Sequence, residues 1–219
     1  MAPALGFVVS DHLPALDLTA THSTPEWGAP AQLAATLTSS SGAPLLGAIV
    51  RLDLLDGGKW RQLRLGVTDG PGSALFDVAA ESRTTLRATF TPPAGQAADR
   101  TYLGVQSRSL TVTPHVRLTP PTLPATVRVN DLVTVAGYLA PLHTAGGNSV
   151  DLVFQRRGAG GAWVTKLTVD AMNRDAGSQT HYVGSVRLPA AGTWRVQATH
   201  PPDGEHAQTY STWRSFTVK

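Results

Sequence analysis

The chain has no cysteine, so no disulfide can staple it and no thiolate can act as nucleophile or metal ligand. Any domain it forms must be held by an apolar core of its own. Charge is also scarce: Asp, Glu, Lys and Arg make up 15% of its 219 residues, and the formal net charge is only +3. The basic residues are scattered apart from Arg61 with Arg64 and the pair Arg156-Arg157, whereas a nucleic-acid partner calls for a concentrated basic face. Nucleic acid is therefore not expected. Glutamate occurs only at Glu26, Glu81 and Glu205, which argues against a paired-carboxylate glycosidase site. No apolar run approaches the roughly 18 residues that a membrane-spanning helix needs, so no transmembrane segment is expected. The opening residues, Met1 to Ser10, lack the basic start and the apolar length of a signal peptide. We read the sequence as an excised piece of a longer, multi-repeat chain. No stretch has a sustained helical period with caps, which removes the crossover helices that a parallel α/β sheet requires.

What the sequence does contain is alternation, turns and duplication. Val50, Leu52 and Leu54 alternate with Arg51 and Asp53, and Val150, Leu152 and Phe154 with Asp151 and Gln155. This is the period-two pattern of half-buried strands. Turn signals such as Asp56-Gly57-Gly58, Asp69-Gly70-Pro71-Gly72, Gly146-Gly147-Asn148 and Pro202-Asp203-Gly204 separate the strands at short intervals. About seven strands per half, so spaced, predict an antiparallel sandwich. The halves repeat: Trp163 follows a Gly-Gly-x turn 103 positions after Trp60 does. Thr85-Leu86-Arg87 recurs as Thr193-Trp194-Arg195, and Pro92-Pro93 as Pro201-Pro202. A repeat of about 100 residues is one domain. We expect residues 1–13 to be an N-terminal extension or the end of a preceding repeat, with one sandwich over 14–113 and a second over 114–219. The linker between them is very short, and Pro114 restricts it further.

These motifs resemble the bacterial immunoglobulin-like repeats of secreted and cell-surface proteins, actinobacterial ones in particular. The first half supplies Gly47-Ala48-Ile49-Val50-Arg51-Leu52, Gly58-Lys59-Trp60, Thr68-Asp69-Gly70-Pro71-Gly72, Thr84-Thr85-Leu86-Arg87-Ala88 and Ser109-Leu110-Thr111-Val112. The second supplies Gly147-Asn148-Ser149-Val150-Asp151-Leu152, Gly161-Ala162-Trp163, Gly192-Thr193-Trp194-Arg195-Val196 and Ser215-Phe216-Thr217-Val218. It departs at Asp170 to Gly177, read as a longer loop in place of the Thr-Asp-x-x-Gly turn. The resemblance implies an all-β chain of two tandem immunoglobulin-like sandwiches, extracellular or at the cell surface, serving as a non-catalytic spacer or adhesion module. The alternatives are a module that binds a glycan or a protein through loops of the second domain, and a subunit of a phage or surface filament.

Four groups of residues are candidates for chemistry. His200-Pro201-Pro202-Asp203-Gly204-Glu205-His206 could hold a divalent metal through His200, Asp203, Glu205 and His206. Its counterpart, Thr91-Pro92-Pro93-Ala94-Gly95-Gln96-Ala97, has the same punctuation and no ligands. We therefore read the charges as a solvated turn added to copy two, with no metal or cofactor. Asp56, Asp69, Asp170 and Asp175 lack the dense acidic pattern of a calcium loop and suit turns instead. Ser178, His181 and Asp175 are close in sequence, but Ser and His three apart on a strand face opposite ways, so no catalytic residues are expected. Trp27, His143, Arg156, Arg157 and Trp213 have no counterpart in the other copy and form the expected binding surface. Trp60, Trp163, Trp194, Arg87 and Arg195 are read as scaffold, and Tyr102 and Tyr210 as residues that tie sandwich corners.

Overall fold

The computed structural model describes residues 13–93 and 102–219. Among these residues there are seventeen strands and no helix. The chain forms two compact units that part between Val112 and Thr113, with Glu26–Gly28 counted in the second.

In the first unit, β1 (Ala15–Ala20), β2 (Pro30–Thr38) and β5 (Ser73–Ala79) form one antiparallel sheet in the order β1-β2-β5. The facing sheet contains β3 (Ile49–Asp56), β4 (Lys59–Val67), β6 (Thr84–Phe90), β7 (Val105–Gln106) and β8 (Leu110–Val112). Its order is β4-β3-β6-β7, and β8 also pairs with β6. The alternation seen in the sequence puts Leu33, Ala35 and Leu37 of one sheet against Val50, Leu52, Leu86 and Ala88 of the other, all buried. Each buried Leu or Val stabilises the unit by about 1.5–3 kcal/mol relative to exposure. The chain passes from β4 to the other sheet through Thr68–Gly72. There the Thr68 hydroxyl donates to the Leu45 carbonyl (2.5 Å) and accepts from the Ala48 amide (2.9 Å). Asp69 caps the amide of Ser73 at 3.1 Å.

The second unit comprises β9 (Arg117–Leu118), β10 (Thr126–Val127), β11 (Leu132–Ala140), β12 (Val150–Arg157), β13 (Trp163–Ala176), β14 (Gln179–Arg187), β15 (Gly192–His200), β16 (Thr209–Tyr210) and β17 (Arg214–Val218). The strand order is β10-β17-β15-β12-β13-β14-β11-β9, with β16 beside β15. β10 runs parallel to β17 and β9 antiparallel to β11, so the two opening strands split between the layers. β13 joins the layers, because Trp163 to Ala171 pair with β12 and Met172 to Ala176 with β14. The expected loop over Asp170 to Gly177 is thus strand, closed by a Gly177-Ser178 turn. Period two continues through it, with Ala171 and Asn173 buried between exposed Asp170, Met172 and Arg174. The polar Asn173 hid the pattern. Its amide donates to the Thr144 carbonyl (3.2 Å) and the Ser149 hydroxyl (2.8 Å), which satisfies a polar group inside the fold.

Two further readings shift. A β-bulge falls between Leu52 and Asp53 in the first unit and between Phe154 and Gln155 in the second. Leu52 therefore corresponds to Phe154, two residues beyond the match that the Gly-x-x-Val motif suggests; the same faces are kept because the slip is even. Tyr210 is 57% exposed. The corner is tied instead by buried Tyr182, whose hydroxyl donates to the Thr119 carbonyl at 2.8 Å. Tyr182 lies opposite Gly137, where a Cβ would sit 2.1 Å from the tyrosine oxygen.

Candidate functional site

The residues shared by both copies converge on one structural device. In the first unit, Arg87 on β6 lies over Trp60 at the start of β4, its guanidinium carbon 4.2 Å from the ring centroid. In the second, Arg195 on β15 lies over Trp163 at 4.5 Å. The cross-strand partner of the arginine differs. It is Asp53 in the first unit and Gln155 in the second. Asp53 is buried and accepts from Arg51 Nε (2.6 Å) and from the Thr89 hydroxyl (2.8 Å), with Arg87 Nε at 3.5 Å. Gln155 is neutral, and its Oε1 accepts two bonds from Arg195 at 2.9 and 2.6 Å. Trp213 then covers Arg195 at 4.1 Å. Where the first unit pairs its arginine with a carboxylate, the second therefore holds it with a neutral amide and a second aromatic ring, by cation–π attraction.

The other members of the expected binding surface do not gather. Arg156 donates to the Ala191 carbonyl at 2.7 Å, and Arg157 closes its own hairpin onto Gly161 at 3.3 Å. Trp27 is half-buried, and its amide donates to the His115 carbonyl at 2.7 Å. Of the acidic turns, Asp56 pairs with Arg61, Asp175 caps Gly177, and Asp170 faces Asp151 across β12 and β13. Burial, then the Asp170 charge, raises the Asp151 carboxyl above its ordinary range. Ser178 sits in the β13–β14 turn, while His181 packs on Tyr138 at 5.1 Å.

The unshared residues of copy two build a compact cluster. β15 ends at His200, and the loop that follows is ordered by Asp203, whose Oδ1 accepts from the amides of Glu205 (2.7 Å) and His206 (2.5 Å). This is Asx-turn chemistry. It leaves Oδ2 facing three imidazoles, 3.3 Å from His206 Nδ1, 3.6 Å from His200 Nε2 and 3.9 Å from His143 Nε2. His143 comes from the β11–β12 loop, held by its amide donating to the Thr180 hydroxyl at 2.6 Å. Its Nε2 is 3.3 Å from His200 Nε2. Among the described residues, the ligand atoms of His143, Asp203 and His206 lie within 4.8 Å of one another. The Glu205 side chain does not belong to that set; His143 does.

The protonation pattern follows from the partners. His143 Nδ1 is 2.9 Å from the Pro141 carbonyl. A carbonyl can only accept, so Nδ1 carries the proton and a neutral ring presents the Nε2 lone pair. Burial, followed by the neighbouring His143, holds the His200 pKa down at about 4, with Asp203 opposing and His206 reinforcing. Partial burial pushes the Asp203 carboxyl up, but the two amide bonds and His206 outweigh it, and it lies below its usual range. His143 lies 57 residues from His200 in sequence, so no motif spacing links them. Their shared absence from copy one was the available signal.

No family model matches the chain, and no curated protein matches it. Among solved structures it is similar to the D0-D1 domain of Intimin, at 12% identity over 93% of this chain and 99% of that one, with a TM-score of 0.34. It is also similar to red sea bream transglutaminase, at 9% identity over 93% of this chain and 31% of that one, with a TM-score of 0.40. Neither superposes closely enough to transfer a function. On its own strand order and registers, the chain is an all-β protein of two immunoglobulin-like antiparallel sandwiches.

Proposed function

We propose that the protein is a non-catalytic structural or adhesion module, displayed outside a bacterial cell. One observation carries this reading. The side chains that the duplication keeps, Trp60 with Arg87 and Trp163 with Arg195, are spent on bracing the outer face of each sandwich. What was copied is mechanical. Of the residues that could suggest nucleophilic catalysis, Asp175 is engaged in a turn cap and His181 in a ring contact. The extracellular setting rests on the sequence resemblance to bacterial surface repeats. Stretching single chains tests the module: each unit should unfold as a separate force peak releasing about 30 nm of contour, from roughly 3.3–3.6 Å per residue. A featureless extension would refute it.

A second observation favours a protein over a glycan as partner. Edge strand β4 and its neighbour β3 expose Ile49, Leu65 and Val67, each more than half accessible, along adjoining positions. Apolar patches of this kind suit protein contact. Binding to cells that is lost in Leu65→Asp, with no glycan-array signal, would support that partner class. Glycan binding that is unaffected by Leu65→Asp would overturn it.

A further inference from the structure

We propose that the second unit binds one zinc ion through His143 Nε2, Asp203 Oδ2 and a ring nitrogen of His206, with His200 Nε2 as the fourth ligand. Tetrahedral zinc with bonds of about 2.0–2.1 Å sets its ligand atoms roughly 3.3 Å apart. Four of the six pairs are already close to that spacing, and His200 and His206, whose ring centroids are 6.0 Å apart, would have to draw together around the ion. His143 and His200 are 3.3 Å apart, His206 and Asp203 3.3 Å, His200 and Asp203 3.6 Å, and His143 and Asp203 3.9 Å.

The ring chemistry points the same way. The Pro141 carbonyl fixes the His143 proton on Nδ1, which aims a lone pair into the cluster. That is the outer partner a metal-ligating histidine ordinarily has. His200 is 2% exposed, and its Nδ1 has no hydrogen-bond partner. With both Nε2 atoms facing each other, an ion-free cluster can satisfy only one of these rings: either His200 donates to His143 and its own Nδ1 is stranded, or the lone pairs oppose. A cation between them removes the opposition of the two Nε2 atoms, because both lone pairs then become ligands, and leaves the His200 Nδ1 proton without a partner. Neutral imidazoles are the form that binds metal. Three nitrogens and one carboxylate oxygen select zinc over calcium or magnesium, which take oxygen donors. The ion would tie the loop after β15 to the β11–β12 loop, joining two segments that share no other covalent constraint.

The test is titration of the full, tag-free, chelator-stripped chain with ZnCl2 by calorimetry, with Co2+ as the spectroscopic probe. The expected result is one ion per chain at micromolar affinity or tighter, an intense visible band for tetrahedral Co2+, and a rise of several degrees in the melting of the second unit only. His143→Ala should weaken binding at least tenfold. His143 is only half-buried, so the fold should persist, as circular dichroism in chelator can verify; Asp203→Asn provides an independent second lesion. Absence of heat above buffer at millimolar zinc would overturn the proposal. So would binding of equal strength in both variants, since the ion would then sit elsewhere.

Discussion

Acidifying the metal-free protein should unfold the second unit well before the first, and His200 sets the size of the effect. Its folded pKa is about 4 against an ordinary value of 6.5. The unfolded chain therefore binds a proton more readily than the native one. Stability is complete above about pH 6.5, falls as pH drops, and levels off below about pH 4. A gap of about 2.5 pKa units at 1.36 kcal/mol each gives a loss of about 3 kcal/mol across that window. The facing groups are His143 and His206, which repel the imidazolium, and Asp203, which attracts it. Asp203, whose own pKa is lowered, adds a loss of the same sign in the more acid range. Asp151 opposes it, because its raised pKa makes the native state the better proton acceptor there. Urea unfolding in chelator at a series of pH values between 7 and 4 reads the slope. The first unit, whose only described histidine is exposed His22, is the internal reference. His200→Gln keeps a polar side chain without the titration and should flatten the curve. An unchanged slope in His200→Gln, or a second unit equally stable at pH 7 and pH 4.5, would refute the reasoning.

Three other outcomes follow from the packing. Asp53→Ala should destabilise the first unit by about 2–4 kcal/mol, since it strands Arg87 and Thr89 beside a vacated carboxylate site; Asp53→Asn, which approximates the Gln155 arrangement, should cost less, and denaturant midpoints measure both. Trp213→Ala should cost the second unit about 1–2 kcal/mol by removing one of the two rings on Arg195; a loss near zero in thermal melting would show the contact to be idle. Gly137→Ala should destabilise by about 3 kcal/mol or more, because its Cβ displaces the Tyr182 hydroxyl. Combined with Tyr182→Phe, the loss should be less than additive if the two share that one contact.

The sequence by itself determined what depends on near neighbours along a strand. Period two set the buried side of β12 and of β3 as far as Leu52, beyond which a β-bulge turns Asp53 inward, and turn residues set where strands end. The duplication marked Trp60, Trp163, Arg87 and Arg195 as scaffold before their stacking was visible. Where a polar residue holds an inward position, as Asn173 does, the alternation is hidden and a strand has the local composition of a loop. Only the tertiary structure decided what depends on sheet order. It brought His143 to His200 and His206, replaced Glu205 in that cluster, exchanged Tyr210 for Tyr182 at the corner, and laid Trp213 over Arg195. These meetings join segments tens of residues apart. They are set by which strands pair and in what register, and local periodicity carries no record of that choice.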